Sequence, residues 1–310
     1  MKTSPVEITV AVPVKDRREQ MRRCLTALLD QDHPNYEVLV LDNDSSDGTA
    51  EACREIAAES QVSVRVETVS GSVGVVRNLG AQRAHGEFLA FTDSDCVADR
   101  GWLSAITRAF RADPRVGVVC GPTHPESAVV AGWPATIEVR SWSGRFESCN
   151  VAFRTAPFRD SEGFDEVVGH FWEDTAAGYA MLRLGWRTAF APDALVLHDV
   201  TYPGFAWHMR RALKMRNLGP VLVRYPEAAE LLYLGIFVRR RDAKLVAWVA
   251  GLALAVASRS PIPLALSLPY TSERLRHWRD PKSLAQALLY DGACVAGAAR
   301  AGLTAHRLIL

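Results

Sequence analysis

The acidic triplet Asp93-Ser94-Asp95 follows Phe88–Thr92, an apolar run whose length and residue types are typical of a buried strand. Two carboxylates at positions i and i+2 of a turn can hold Mg²⁺ or Mn²⁺ through their oxygens. Such an ion bridges phosphate groups and stabilises the charge on a departing diphosphate. Acidic turns after strands are also common as solvated loops, so the triplet indicates a metal site only together with further motifs.

A second acidic segment, Asp42–Thr49, follows another short apolar run. At the end of a buried strand, the Asp42 carboxylate can accept a hydrogen bond from a ring N–H of uracil or guanine. We therefore assign Asp42 and Asp44 to nucleotide binding. Asp47 instead fits turn chemistry, and we expect it to be the N-cap of the helix that follows.

Short β-branched runs alternate with helical patterns through the first 120 residues. This alternation predicts βαβ units and a mostly parallel sheet, with ligands outside the carboxyl ends of the strands. The predicted strands are 6–14, 37–41, 62–69, 88–92 and 116–120, and the predicted helices are 17–30, 49–59, 74–84 and 102–111. The stretch 121–199 is less regular and rich in Trp, Gly, Pro and acidic residues, which is typical of binding loops laid over a sheet.

The order and spacing of these motifs resemble the family-two inverting glycosyltransferases of the GT-A fold. The resemblance extends over about residues 6–200, and several ordered motifs together are far more specific than any one. They are Val12–Val14, Asp42–Thr49, Gly74–Gly80, Phe91–Asp95, Ser148–Arg154, Phe164–Glu166, Trp172–Thr175 and Gly185-Trp186. The resemblance implies an α/β, Rossmann-like fold of the GT-A type, with a mixed, mostly parallel sheet flanked by helices. In a domain of residues 1–205, residues 1–120 would bind the nucleotide and 121–205 would face the acceptor.

The resemblance also implies roles for individual residues. The nucleotide-sugar-binding residues would be Pro13, Lys15, Asp42, Asp44, Arg77, Asp93 and Ser94, with Arg77 on the pyrophosphate side. The metal ligands, for Mn²⁺ or Mg²⁺, would be Asp93, Asp95 and His198. A lone histidine at a strand end is as often a plain surface residue, so both interpretations of His198 stay open.

Catalysis would depend on Asp174 as the general base that deprotonates the acceptor hydroxyl, with Glu173 beside it. Two adjacent carboxylates near a bound metal and donor can have their pKa values pushed apart, which suits one of them to proton removal. Family members often carry an acidic residue and an arginine further along, where this sequence has Ala176 and Ala180. We therefore expect the acceptor side or the anchoring of its loop to differ.

The expected reaction is transfer of one sugar, with inversion, from a UDP-, GDP- or dTDP-linked donor to an acceptor hydroxyl. The Gln-x-x-Arg-Trp signature of processive synthases is missing, which favours single transfer over polymerisation. A nucleotide-sugar-forming nucleotidyltransferase is one alternative, but its loop after the first strand would be rich in glycine, unlike Pro13–Arg18. A catalytically inactive, membrane-associated binding protein is the other, and the intact Asp93, Asp95 and Asp174 argue against it.

Composition limits the partners and the compartment. Of the 310 residues, 36 are Lys or Arg and 35 are Asp or Glu, so no global basic field attracts nucleic acid. The six cysteines are scattered without metal-ligand spacing, which argues against a zinc site and favours a reducing compartment. The first apolar run contains Pro13 and leads directly into Lys15–Arg18, so we expect no signal peptide and a cytoplasmic location.

Residues 206–310 are predicted to form a helical, apolar appendage. Leu245–Ala257 is apolar throughout, and after two prolines the apolar character resumes to Leu268, but neither piece reaches the roughly 20 residues that span a bilayer. The flanking basic residues are Arg239, Arg240, Arg241, Lys244, Arg274, Arg276 and Arg279. We expect 245–268 to enter one leaflet from the cytoplasmic face, as a peripheral or monotopic contact beside a lipid-linked glycan or glycolipid acceptor. A soluble helical subdomain is the alternative.

Overall fold

The computed structural model describes residues 6–130, 132–166, 171–278 and 280–310. The chain divides into two compact units. The first contains the chain up to Ala128 together with Thr136–Val200, and the second contains Val129–Ala135 and Thr201–Leu310. Of the basic residues expected to flank the apolar segment, Arg279 lies outside the described residues.

Two sheets form the first unit. The strands are β1 (Ile8–Val14), β2 (Tyr36–Asn43), β3 (Ser63–Val69), β4 (Phe88–Phe91), β5 (Cys96–Ala98), β6 (Val116–Cys120), β7 (Thr123–Pro125), β8 (Val151–Arg154), β9 (Arg187–Phe190) and β10 (Val196–His198). The larger sheet has the order β3-β2-β1-β4-β8-β6-β9, and its neighbours are parallel except at β8, which is antiparallel to β4 and β6. The predicted α/β class with a mixed, mostly parallel sheet is therefore confirmed.

Helices of the first unit cover this sheet. They are α1 (Arg18–Leu29), α2 (Thr49–Glu59), α3 (Val73–Arg83), α4 (Trp102–Ala112), α5 (Thr155–Asp160) and α6 (Glu173–Arg183). In α1, Met21, Leu25 and Leu28 recur at helical spacing and are fully buried, so this face joins the core. β1 is apolar along nearly its whole length and β2 is apolar over Val38–Leu41, because both faces of these strands are covered.

The smaller sheet positions the end of the acidic triplet. Its order is β5-β10-β7, and β5 begins directly after Asp95. Strand β10 runs antiparallel to β5, with His198 opposite Cys96. This register brings the ring of His198 close to the carboxylate of Asp95.

Two expectations drawn from the sequence were wrong in detail. The stretch 121–199 is more than binding loops, because β8 and β9 join the large sheet and α5 and α6 pack on it. β8 and β9 have four residues each, which is too short for a clear alternation pattern, so the sequence does not indicate these two strands. Asp47 is not the N-cap of α2; Gly48, with φ +83°, takes that position, and Asp47 accepts a hydrogen bond from the Thr49 N–H at 3.0 Å.

The second unit is built from helices. They are α7 (Phe205–Ala212), α8 (Leu218–Arg224), α9 (Arg240–Ser258), α10 (Leu268–His277) and α11 (Pro281–Thr304). Asp291 of α11 is fully buried and accepts a hydrogen bond from Tyr270 at 2.8 Å. It also forms an ion pair with Arg274 at 2.5 Å, which compensates its charge. Among the described residues, no helix combines the length and the apolar character needed to cross a bilayer.

Candidate active site

The predicted base-binding residue Asp42 lies at the carboxyl end of β2 and is buried. Its Oδ2 accepts a hydrogen bond from the Ser45 N–H at 3.2 Å. Its Oδ1 is buried without a hydrogen-bond partner among the described residues. A buried carboxylate oxygen without a donor is costly, so this atom is suited to receive an N–H from a ligand.

The other residues predicted around the nucleotide surround this strand end. Lys15 is exposed and donates to the Asn43 carbonyl at 3.1 Å, while Pro13 is half-buried. The Asn43 side chain exchanges two hydrogen bonds of 3.1 Å with the backbone of Gly71, which ties the loop before α3 to β2. Asp44 is exposed and has φ +51°, a left-handed conformation that a short polar side chain tolerates.

Asp95 and His198, two of the predicted metal ligands, face each other. The distance between Asp95 Oδ1 and His198 Nε2 is 3.9 Å. His198 Nδ1 lies 2.8 Å from the Asp199 carbonyl oxygen, which can only accept, so Nδ1 donates to it and Nε2 is the nitrogen that faces Asp95. Cys96 lies in the same group, and without a bound cation burial raises the pKa of its thiol well above the ordinary value. The carboxylate of Asp95 and the imidazole of His198 are thus the oxygen and nitrogen donors that face each other here.

Arg17 is a site residue that the sequence analysis missed. Its Nη1 lies 2.7 Å from Asp95 Oδ2, and its side chain is 43% exposed. The loop after β1 and the loop after β4 leave the same edge of the sheet, because the two strands are parallel neighbours. That topology could have indicated the contact, since five consecutive charged residues, Lys15–Glu19, directly follow β1.

Asp93, the third predicted metal ligand, forms a hydrogen bond with Arg77 and is not in the group formed by Asp95, Cys96 and His198. Arg77 is only 3% exposed and donates from Nη2 to Asp93 Oδ1 at 3.0 Å and from Nη1 to Glu173 Oε1 at 2.8 Å. Burial opposes the charge, yet Asp93 and Glu173 together raise the pKa of Arg77. Its guanidinium therefore joins the acidic triplet to the start of α6. The structure places Arg77 between two carboxylates, and its role on the pyrophosphate side stays a prediction.

Asp174, the predicted general base, is the second residue of α6. Its Oδ2 accepts from the Ser148 N–H at 3.1 Å, and its Oδ1 accepts from the Thr175 N–H at 2.8 Å. Burial, followed by the neighbouring charge of Glu173, raises the pKa of Asp174 to about 8, although Arg77 acts in the opposite direction. A carboxyl group with such a pKa can accept a proton near neutral pH.

The backbone that leads into α6 is strained. Phe171 has φ +116° and Trp172 has φ +77°, conformations that cost about 1–3 kcal/mol for residues with a side chain. The Phe171 N–H donates to Glu173 Oε2 at 2.6 Å, and Arg77 holds the other oxygen of Glu173. These contacts keep the strained turn in place and set the position of Asp174.

Other predicted segments serve the scaffold. The Asn150 amide donates to the Pro122 and Ala194 carbonyls at 2.8 Å and accepts from Trp102 at 2.8 Å. Its NH2 group and its oxygen thus form hydrogen bonds within the protein. Asn78 of α3 exchanges hydrogen bonds of 2.9 Å with the Phe164 backbone, which fixes the segment 164–166. Ser94 is buried between two more exposed neighbours, Asp93 and Asp95.

Comparisons with known proteins agree with this architecture. The chain is 27% identical over 258 residues to the pre-mycofactocin glycosyltransferase of Mycobacterium tuberculosis, an alignment that covers 78% of this chain and 52% of the relative. The chain thus spans about half the length of that relative.

Among solved structures, the mannosyltransferase PcManGT of Pyrobaculum calidifontis, determined with GDP-Man and Mn²⁺, has a TM-score of 0.69 at 22% identity, over 97% of this chain and 89% of that one. TarS 1-349 of S. aureus with UDP-GlcNAc has a TM-score of 0.54 at 17% identity, over 97% and 93%. At these identities the likeness supports the fold alone, and the fold is the expected GT-A type. The model of glycosyl transferase family 2 matches residues 9–171, and the chain belongs to that family.

Proposed function

We propose that this chain transfers a single sugar from a nucleotide-diphosphate donor to an acceptor hydroxyl, with metal assistance and with inversion at the anomeric carbon. The observation that carries the proposal is the connection between Asp174 and Asp93. Arg77 holds Asp93 on one side and Glu173 on the other, and Asp174 follows Glu173 directly. A proton acceptor thus lies beside the acidic triplet that would hold the donor's diphosphate. Family membership favours this function over nucleotide-sugar synthesis.

The donor's base would lie at the end of β2. The unpartnered Oδ1 of Asp42 can accept a ring N–H, which uracil, thymine and guanine each offer. UDP-, GDP- and dTDP-sugars therefore all remain candidate donors. Two proteins with the same fold were solved with GDP-Man and with UDP-GlcNAc, which fits that range.

Asp95 and His198 would hold the cation, with Asp93 close by. A carboxylate oxygen suits Mn²⁺ and Mg²⁺, and imidazole nitrogen is a common ligand of divalent metals, so the residues present fit such an ion. The bound ion would neutralise charge on the leaving nucleoside diphosphate. Arg17 now pairs with Asp95, so it would have to give up that contact.

Asp174 would take the proton of the acceptor hydroxyl. As the acceptor oxygen forms a bond to the anomeric carbon, the bond from that carbon to the diphosphate oxygen breaks, and the electron pair leaves with the diphosphate. A single displacement of this kind inverts the configuration. The raised pKa of Asp174 gives its carboxylate the basicity that this step needs.

We further propose that the protein acts at the cytoplasmic face of the membrane, on a lipid-linked glycan or a glycolipid. The support is a run of exposed apolar side chains within 245–268, in which Val256 is 80% and Ile262 is 81% exposed. The others are Val249, Leu252, Leu254, Leu264, Leu266 and Leu268. Large exposed apolar surfaces of this kind mark interaction sites for proteins or membranes.

Thermal unfolding with a panel of donors tests the donor side. UDP-, GDP- and dTDP-sugars are added with Mn²⁺, and one of these classes should raise the melting temperature of the wild type. Asp42→Asn leaves a single acceptor oxygen for both the Ser45 N–H and the ring N–H, so it should greatly reduce that increase, while Asp160→Asn, on the surface of α5, should preserve it. A protein that no donor stabilises would contradict the proposal.

A further inference from the structure

We propose that a cavity in the second unit binds the phosphate headgroup of an anionic membrane phospholipid. The cavity lies between the start of α9, the loop before it and the start of α10, and it holds about 350 Å³. Its lining includes Tyr233, Leu234, Arg240, Lys244, Leu266 and Pro269. The inference rests on the membrane contact proposed above and assigns it a specific ligand.

Positive charge is in excess at this cavity. None of the lining residues is acidic, and Asp242 beside them in α9 pairs with Arg239. Glu273 pairs with the lining residue Lys244 at 2.6 Å and also with Arg241 at 2.8 Å. Arg240 has no carboxylate partner among the described residues and instead lies over the ring of Tyr233, 5.4 Å from its centroid. Two cations therefore share one acid, and a third is available for an anion. A phosphate group would satisfy this surplus through charge-assisted hydrogen bonds.

The rim of the cavity is apolar and open to solvent. Leu234 is 70% and Leu266 is 46% exposed, and both line the cavity. A phosphate that arrives alone in water leaves this rim uncovered, whereas a phospholipid places its acyl chains on it while its headgroup enters the cavity. The combination of surplus cations with an apolar rim thus matches a lipid. A second copy of the chain matches less well, because a symmetric contact would bring identical cationic patches together.

Binding to vesicles tests the headgroup site with the full chain. Vesicles of phosphatidylcholine alone are compared with vesicles that also contain phosphatidylglycerol, and bound protein is measured by flotation. Arg240→Gln should lower the affinity for the anionic vesicles by about tenfold or more. Arg276→Gln, an exposed residue of α10 outside the cavity, removes the same charge and should cost no more than about fivefold, the scale of one non-specific basic contact.

The possible outcomes separate this site from the proposed function. Equal losses in the two variants would overturn the site and leave only general charge attraction. Equal binding to neutral and anionic vesicles would also overturn it, while the membrane contact would survive. Binding to no vesicle would refute both. Displacement by inorganic phosphate at low concentration would assign the cavity to a soluble ligand, and self-association that does not respond to vesicles would assign the face to a second copy; each would overturn the lipid site.

Discussion

Replacing Asp174 by asparagine should stabilise the protein at alkaline pH. Burial and the charge of Glu173 raise the pKa of Asp174 from 3.8 to about 8 in the folded chain. Between these values the unfolded chain has released the proton while the folded chain retains it. The stabilisation that protonated Asp174 contributes is therefore fully present below about pH 4 and is lost as the pH rises through about 8. Asparagine has no proton to release, so the variant escapes this loss.

The size of the effect follows from the same interval. Each pH unit between the two values changes the free energy of unfolding by about 1.4 kcal/mol, which gives a ceiling of about 6 kcal/mol. Two backbone hydrogen bonds and the charge of Arg77 favour the ionised form of Asp174, so we expect a smaller gain, about 2–4 kcal/mol at pH 8 relative to pH 4.

Urea unfolding from pH 4 to pH 9, without donor or metal, measures this gain. The difference in unfolding free energy between Asp174→Asn and the wild type should grow with pH and level off above about 8. Asp160→Asn, which removes an exposed carboxyl of α5, is the matched control and should give a curve parallel to the wild type. Parallel curves for Asp174→Asn as well would refute the proposed environment of the base.

Three further predictions concern the same site. Asp174→Asn should lower kcat by about 10²–10⁴ with donor affinity nearly unchanged, as steady-state kinetics and donor titration can show; unchanged turnover would point to Glu173. Arg77→Met leaves Glu173 and Asp93 without their shared cation and should lower the unfolding free energy by about 3–5 kcal/mol; a loss below about 1 kcal/mol would contradict the buried pairing. Arg17→Gln removes the cation that pairs with Asp95, so Mn²⁺ binding followed by electron paramagnetic resonance without donor should tighten about two- to fivefold, whereas Arg18→Gln should leave it unchanged; equal affinities would show that Arg17 does not compete with the metal.

The nucleotide-binding half of the fold could be predicted from sequence because its elements are long and regular. β1 is a nearly continuous apolar run, β2 contains the apolar run Val38–Leu41, and α1 has clear helical spacing, so their bounds lie close to the expected ones. The strand β8 could not be recognised, because four residues between polar segments carry no distinctive period. Its antiparallel position between β4 and β6 depends on long-range pairing.

The sequence indicated which residues lie at the candidate site better than it indicated the contacts between them. Asp42 at a strand end and the pair Asp95 and His198 follow from motif positions. The link from Arg77 to Glu173 joins residues 96 positions apart in the chain and requires the fold to be known. The strained φ angle of Trp172 was equally invisible, since nothing in a tryptophan side chain indicates a left-handed backbone.

Nuclear magnetic resonance of donor hydrolysis tests the central claim most directly, because water can replace the unknown acceptor. The donor class that stabilises the protein is incubated with Mn²⁺, and the anomeric form of the released sugar is recorded before it equilibrates. The proposed single displacement predicts a sugar of inverted configuration, formed by the wild type and greatly reduced in Asp174→Asn and in the presence of EDTA. Release of a sugar with retained configuration, or equal rates in wild type and Asp174→Asn, would contradict it.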